Sequence, residues 1–201
     1  MNALRYNAAF KRAVLARCYT ALEAAGFIRF RKEAVDWPFA DGVHCWVGLN
    51  SALEMDCVEV SPFVGVHFVQ IMKLYTTIVG RKYDRGIATY AVHMGELAPS
   101  EHVFSFTHQT DVEAEATRLA RLYVTTGIAY AQSIASYERL LPLLQKRVPT
   151  LGAYPERVAS CLYLMDRKEE ARAFVEDFLS EHRGYFESFA IPFLKLLKEP
   201  D

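Results

Sequence analysis

The stretch Val43–Ile71, VHCWVGLNSALEMDCVEVSPFVGVHFVQI, decides how the chain folds. Side chains along a strand alternate between two faces. Val43, Cys45, Val47 and Leu49 therefore share one face of a first strand, with His44, Trp46, Gly48 and Asn50 on the other. In a second strand Val58, Val60, Val64, Val66 and Phe68 share a face, opposed by Glu59, Ser61 and His67. The connection Asn50–Glu54 suits an antiparallel hairpin. Pro62 has no N–H for a ladder, so a break, bulge or edge position is expected there. The expected product is a twisted antiparallel sheet with one wet face.

Charge is distributed unevenly around this stretch. Ala34–Met72 holds no Lys or Arg, yet contains Asp36, Asp41, Glu54, Asp56 and Glu59. Residues 1–33 carry Arg5, Lys11, Arg12, Arg17, Arg29, Arg31 and Lys32 against only Glu23 and Glu33. One reading is that each segment exposes a solvated face and that opposite signs help the elements pack. The other is an acidic hairpin that steers a basic partner, since clustered charge acts on association rate more than on fold.

Outward from the hairpin, residues 3–25 read as a helix with Phe10, Val14, Leu15, Cys18, Leu22 and Ala25 on one stripe. Gly26 caps it, and residues 27–32 alternate as a short strand. Asp36–Gly42 reads as a loop, with Trp37 and Phe39 folded onto the core or exposed as anchors. Residues 69–79 read as a short helix, and residues 87–94 and 103–107 as two further strands. On the last of these, His102, Phe104, Phe106 and His108 share a face.

Thr110 followed by Glu113 has the spacing of a capping box. A long helix is predicted from Asp111 to about Lys146 on the stripe Val112, Ala116, Leu119, Tyr123, Gly127, Tyr130, Ile134, Tyr137, Leu141 and Leu144, with a kink at Pro142. Pro155 suits a helix start, and Asp166 with Glu169 suits the cap of the next. A final helix over 185–198 bends or breaks at Pro192.

The fold class is therefore α+β: an N-terminal helix, a four- to five-stranded antiparallel sheet, a long helix packed on it and C-terminal helical hairpins. Residues 1–150 form the α+β domain, and 151–201 a helical extension packed on it.

With 201 residues, 52% of them apolar, and a net charge of −1, the chain can bury a substantial core and does not bind nucleic acid through bulk positive charge. Cys18, Cys45, Cys57 and Cys161 lack short metal spacing, and buried free thiols in a reducing compartment are expected. No apolar run is long enough to span a bilayer. Residues 1–22 hold no acid and superficially resemble a transit peptide, but fit an ordinary amphipathic helix. A cytoplasmic protein without membrane contact is expected.

No catalytic motif is present: no HExxH, GxSxG, P-loop or GxGxxG. No cofactor or metal is expected. The one acid–base or metal constellation the pattern allows joins His44 and His67 across the hairpin, with Glu59 beside them. Its absence from the chemistry would leave a binding protein. The site residues for a protein partner are then Asp36, Trp37, Asp41, His44, Trp46, Glu54, Asp56 and Glu59.

The order helix, β-meander, capped helix and helical tail, with Val60–His67 (VSPFVGVH) and His93–Pro99 (HMGELAP) inside it, resembles small bacterial families that include immunity proteins encoded beside polymorphic toxins. The resemblance covers roughly residues 10–140. It implies cytoplasmic residence and neutralisation of a cognate toxin by binding; the acidic 36–59 segment would then meet a basic toxin surface. Val158, Ala159, Leu162, Ala171, Val175 and Phe178 resemble one tetratricopeptide-type repeat, which implies an adaptor or oligomerisation module instead. Three readings stay open: a toxin-binding protein, an adaptor, and a metal-dependent enzyme around His44 and His67.

Overall fold

A computed structural model describes residues 7–148 and 154–198 of the chain. Helix α1 (Ala8–Ala24) starts where the Asn7 side chain accepts from the N–H groups of Ala9 and Phe10 at 2.9 and 3.0 Å. It stops at Gly26, whose φ of 101° is a left-handed conformation that glycine adopts without strain. The next residue returns a bond to the helix, Phe27 N–H to the Leu22 carbonyl at 3.1 Å.

Four strands follow: β1 (Ile28–Arg31), β2 (Ala34–Pro38), β3 (Val43–Leu53) and β4 (Val58–Phe68). β2 corrects the expected loop, because only Ala40–Val43 turns. Val43 N–H reaches the Ala40 carbonyl at 3.1 Å, and Asp41 and Gly42 have φ of 57° and 74°. Positive φ at both central positions marks a type I′ turn, whose twist matches that of the flanking strands. Asp36–Pro38 thereby pairs with His44–Trp46.

The β3–β4 connection is also tighter than expected. β3 continues to Leu53, and the turn closes with Glu54 N–H on the Cys57 carbonyl at 2.9 Å. Burial alternates as the period-two reading requires. Val43, Cys45, Val47, Val58, Val60, Val64, Val66 and Phe68 are all buried. β4 passes through Pro62 without interruption.

Two short strands, β5 (Tyr90–His93) and β6 (Phe104–Phe106), complete a six-stranded sheet in the order β1-β2-β3-β4-β5, with β6 also on β4. β6 pairs with Val58–Val60 and stops two residues short of Pro62, which has no N–H to extend that ladder. His102 and His108 lie outside β6 and are exposed, while Phe104 and Phe106 are fully buried. The fold is α+β around this one sheet.

The predicted long helix is broken. α3 (Val112–Leu122) gives way to a π-helical turn at Tyr123–Gly127, then to α4 (Ile128–Ser133). α5 (Tyr137–Arg147) starts afresh, capped by the Ser136 side chain on Arg139 N–H at 3.4 Å. The apolar stripe survives the break: Ala116, Leu119, Tyr123, Ile134, Leu141 and Leu144 are all buried. A π turn inserts one residue and re-phases the stripe. The α3 cap is Asp111, which accepts from Ala114 N–H at 3.1 Å. Thr110 instead accepts from Thr107 N–H at 2.9 Å.

By its contacts the chain divides into two compact units, unlike the 150/151 division, whose boundary lies outside the described residues. The first unit holds the described residues through Val66 together with Ala91–Ser133. In it α1 packs on α3 and against β2 and β3.

The second unit holds His67–Tyr90 and the described residues from Ile134 on. It is helical: α2 (Val69–Ile78), α5, α6 (Pro155–Leu164), α7 (Lys168–Glu181) and α8 (Arg183–Leu196). Its core carries a run of rings, with Phe178, Phe186, Phe189 and Phe193 at successive centroid distances of 4.9, 5.5 and 5.1 Å. Asp166 does not cap α7. Its φ of 58° ends α6, and Arg167 N–H returns to the Leu162 carbonyl at 3.0 Å. α8 is continuous through Pro192.

Candidate functional site

β2 and β3 split the acidic segment into a buried group and two exposed ends. Asp36 is only 2% exposed, and its carboxylate lies 3.6 Å from Nδ1 of the half-buried His44. It cannot meet a partner, and this corrects its place in the surface set. Trp37 turns inward: its ring lies 2.9 Å from where a Cβ of Gly26 would stand, and edge-on to Phe27 at 5.6 Å. Trp46 lies across its own strand, 2.3 Å from the position of a Gly48 Cβ. Only glycine at 48 admits that ring. Both tryptophans are half-buried and spend much of their area on their own chain.

The exposed carboxylates fall at opposite ends of β3. Asp41 sits in the type I′ turn, and Glu54 and Asp56 in the β3–β4 turn. At ~3.3 Å per residue the strand holds these two groups roughly 40 Å apart. They form no single surface.

The β3–β4 tip has a character that the charge pattern did not reveal. Met55 is 97% exposed between Glu54 and Asp56, and Leu53 beside it is 42% exposed. Two large apolar side chains thus stand open beside two exposed carboxylates at the tip. The available signal was the sequence Leu53-Glu54-Met55-Asp56, apolar and acidic residues alternating through the turn itself. Glu59, half-buried on β4 opposite Ser105, extends the acidic character toward the sheet. Lys11 fastens the flank of the hairpin through Nζ to the Ser51 carbonyl at 2.6 Å.

The thiol beside the tip is not activated. Burial, followed by the charges of Asp56, Glu59 and Glu54, raises the Cys57 thiol above its ordinary value. Burial likewise pushes Cys18, Cys45 and Cys161 up to about 12. None of the four is a poised thiolate.

Glu59 does not join His67 at one site, because the two stand eight positions apart on β4, about 26 Å along an extended strand. His67 is 1% exposed, and both its ring nitrogens are engaged. Nδ1 donates to the Ile87 carbonyl at 2.7 Å, and Nε2 of the neutral ring then accepts from the Tyr83 hydroxyl at 2.7 Å. Among the described residues, no three or more His, Cys, Asp or Glu side chains are placed to hold a metal ion. Nor is any helix there long and apolar enough to cross a membrane. Comparison of the chain with protein-family models, with curated proteins and with solved structures finds no match in any of the three.

Proposed function

We propose that the protein works by binding another protein through the tip of the β3–β4 hairpin, and that it acts as an immunity-type neutraliser of a basic toxin domain. The observation that carries this reading is Met55, 97% exposed between two exposed carboxylates at the end of two 11-residue strands. Met55 and Leu53 fill an apolar slot, while Glu54 and Asp56 meet the basic rim around it. Flexible, polarisable methionine suits such an anchor. Carboxylates at the rim raise the association rate and set orientation. Buried thiols, a fully bonded His67 and the dispersed acids support a role without catalysis.

The adaptor reading has one observation in its favour. Tyr185 and Ile191 on α8 are 59% and 56% exposed. A photo-crosslinking residue placed at 55 or at 185 separates the two. Capture of one stoichiometric partner from position 55, released by salt, supports the hairpin. Capture from 185 alone transfers the function to the helical pair.

A further inference from the structure

We propose that the first turn of α6 binds the oxyanion of a small molecule, a carboxylate or a phosphate, with Arg157 as its principal ligand. Arg157 is 7% exposed. Its guanidinium is held from two sides: Nη1 donates to the Thr89 carbonyl at 2.8 Å, and the Tyr154 ring stacks beneath it at 3.7 Å. So positioned, its Nε is buried and has no hydrogen-bond partner.

Two neighbours share that condition. Glu156 Oε2 and Ser160 Oγ are also buried without partners, and Ser160 is wholly inaccessible. Ser160 lies three and four positions after Arg157 and Glu156, which puts all three on one stripe of the helix. Helical side chains lean toward the N-terminus, so the stripe converges on the helix start. Buried polar groups are nearly always paired, and an orphan costs more than a bond gains. Among the described residues the other such atoms belong to Arg29, and that guanidinium already has Glu23 as counterion at 2.8 Å. Among the described residues, orphaned atoms of three different side chains fall close together in sequence only on α6.

The helix end favours negative charge. The N-cap residue Tyr154 supplies no side-chain cap, and α6 runs for ten residues behind it. The helix dipole favours negative charge at this end, but Pro155 has no N–H and Arg157 N–H is bonded to the Tyr154 carbonyl at 3.0 Å, so side chains supply the donors. A planar guanidinium matches the paired oxygens of a carboxylate or phosphate. Tyr154 and Tyr185, both exposed, flank Arg157. Burial raises the Glu156 carboxyl above the usual range, against its own backbone N–H and the pull of Arg157 and Arg81. By taking up a proton together with the ligand, Glu156 gives a hydrogen bond to a ligand oxygen that an ionised carboxylate would repel. Tyr75 and Tyr185 are the other titratable groups beside this pair.

The test uses the full chain, with inorganic phosphate and acetate as separate probes at constant ionic strength and chloride as the control. Thermal shift and calorimetry should show saturable binding of at least one probe. Arg157→Lys keeps the charge and loses the fork, and should weaken binding about tenfold or more. Glu156→Gln keeps a donor and spares the proton uptake that binding at neutral pH asks of Glu156, so it should tighten binding. A response to phosphate alone selects phosphorylated ligands, and a response to acetate alone selects carboxylates. No saturable response to either probe overturns the assignment, as does Arg157→Lys binding like the parent. Should Arg157→Lys fail to fold, Glu156→Gln decides: unchanged affinity sinks the site.

Discussion

The hydroxyl of Tyr123 lies 2.9 Å from the carbonyl oxygen of Gly48, 75 residues away in sequence. It is equally 2.9 Å from the Phe63 carbonyl. One hydroxyl has one proton, so the two carbonyls share it. The π turn that begins at Tyr123 brings the side chain there, and Gly127 makes room: a Cβ at 127 would meet Tyr123 and Val64 at 3.2 Å each. The helix defect thus pins β3 to β4 from the core side.

Tyr123→Phe keeps the ring and removes the bond. The fully buried site then leaves a carbonyl without its donor, at a cost of about 1–3 kcal/mol. Urea unfolding followed by circular dichroism would measure it. A change below about 0.5 kcal/mol, the range of an ordinary surface substitution, would show that the hydroxyl holds nothing.

Gly48→Ala should displace the Trp46 ring, because the added methyl would fall 2.3 Å from it. Overpacking of this kind costs about 1–3 kcal/mol. Trp46→Ala should relieve much of that cost, which makes the pair a double-mutant cycle with a coupling of opposite sign. Tryptophan fluorescence reports the displacement directly. An unchanged spectrum in Gly48→Ala would contradict the packing described.

Glu54→Lys with Asp56→Lys should leave stability within about 0.5 kcal/mol, since both side chains are exposed. Partner association should slow and lose its salt dependence. Met55→Ala should instead speed dissociation. Parent-like binding by both variants would remove the hairpin from the function.

Glu156 predicts a pH dependence. Its folded carboxyl is raised above the ordinary 4.5, so the folded state holds the proton more tightly than the unfolded one. Stability from this group is fully present below about the ordinary carboxyl range and is lost as pH climbs through the raised value. Glu156→Gln removes the loss. The difference in melting temperature between variant and parent should therefore grow in the variant's favour as pH rises from 4 to 7, both ends being approximate. A flat or falling difference would place Glu156 in water.

What the sequence determined by itself is what is periodic and local. Alternation along β3 and β4 told which side chains enter the core, because a strand has only two faces. The stripe from Val112 to Leu144 likewise named buried residues on both sides of a helix break that it did not reveal. Gly26 and Asp41-Gly42 announced a helix end and a turn because their backbones take φ values that other residues resist. Tertiary structure decided everything that depends on a distant neighbour. β2 exists because it pairs with β3, although its own residues look like a loop. That pairing buries Asp36 and turns a presumed surface acid into a partner of His44. Met55 stands out because its neighbours happen to leave it uncovered. Arg157 is orphaned because Thr89 and Tyr154 fix its other faces. Desolvation and hydrogen bonding are settled by what arrives from elsewhere in the chain, and no local pattern encodes that.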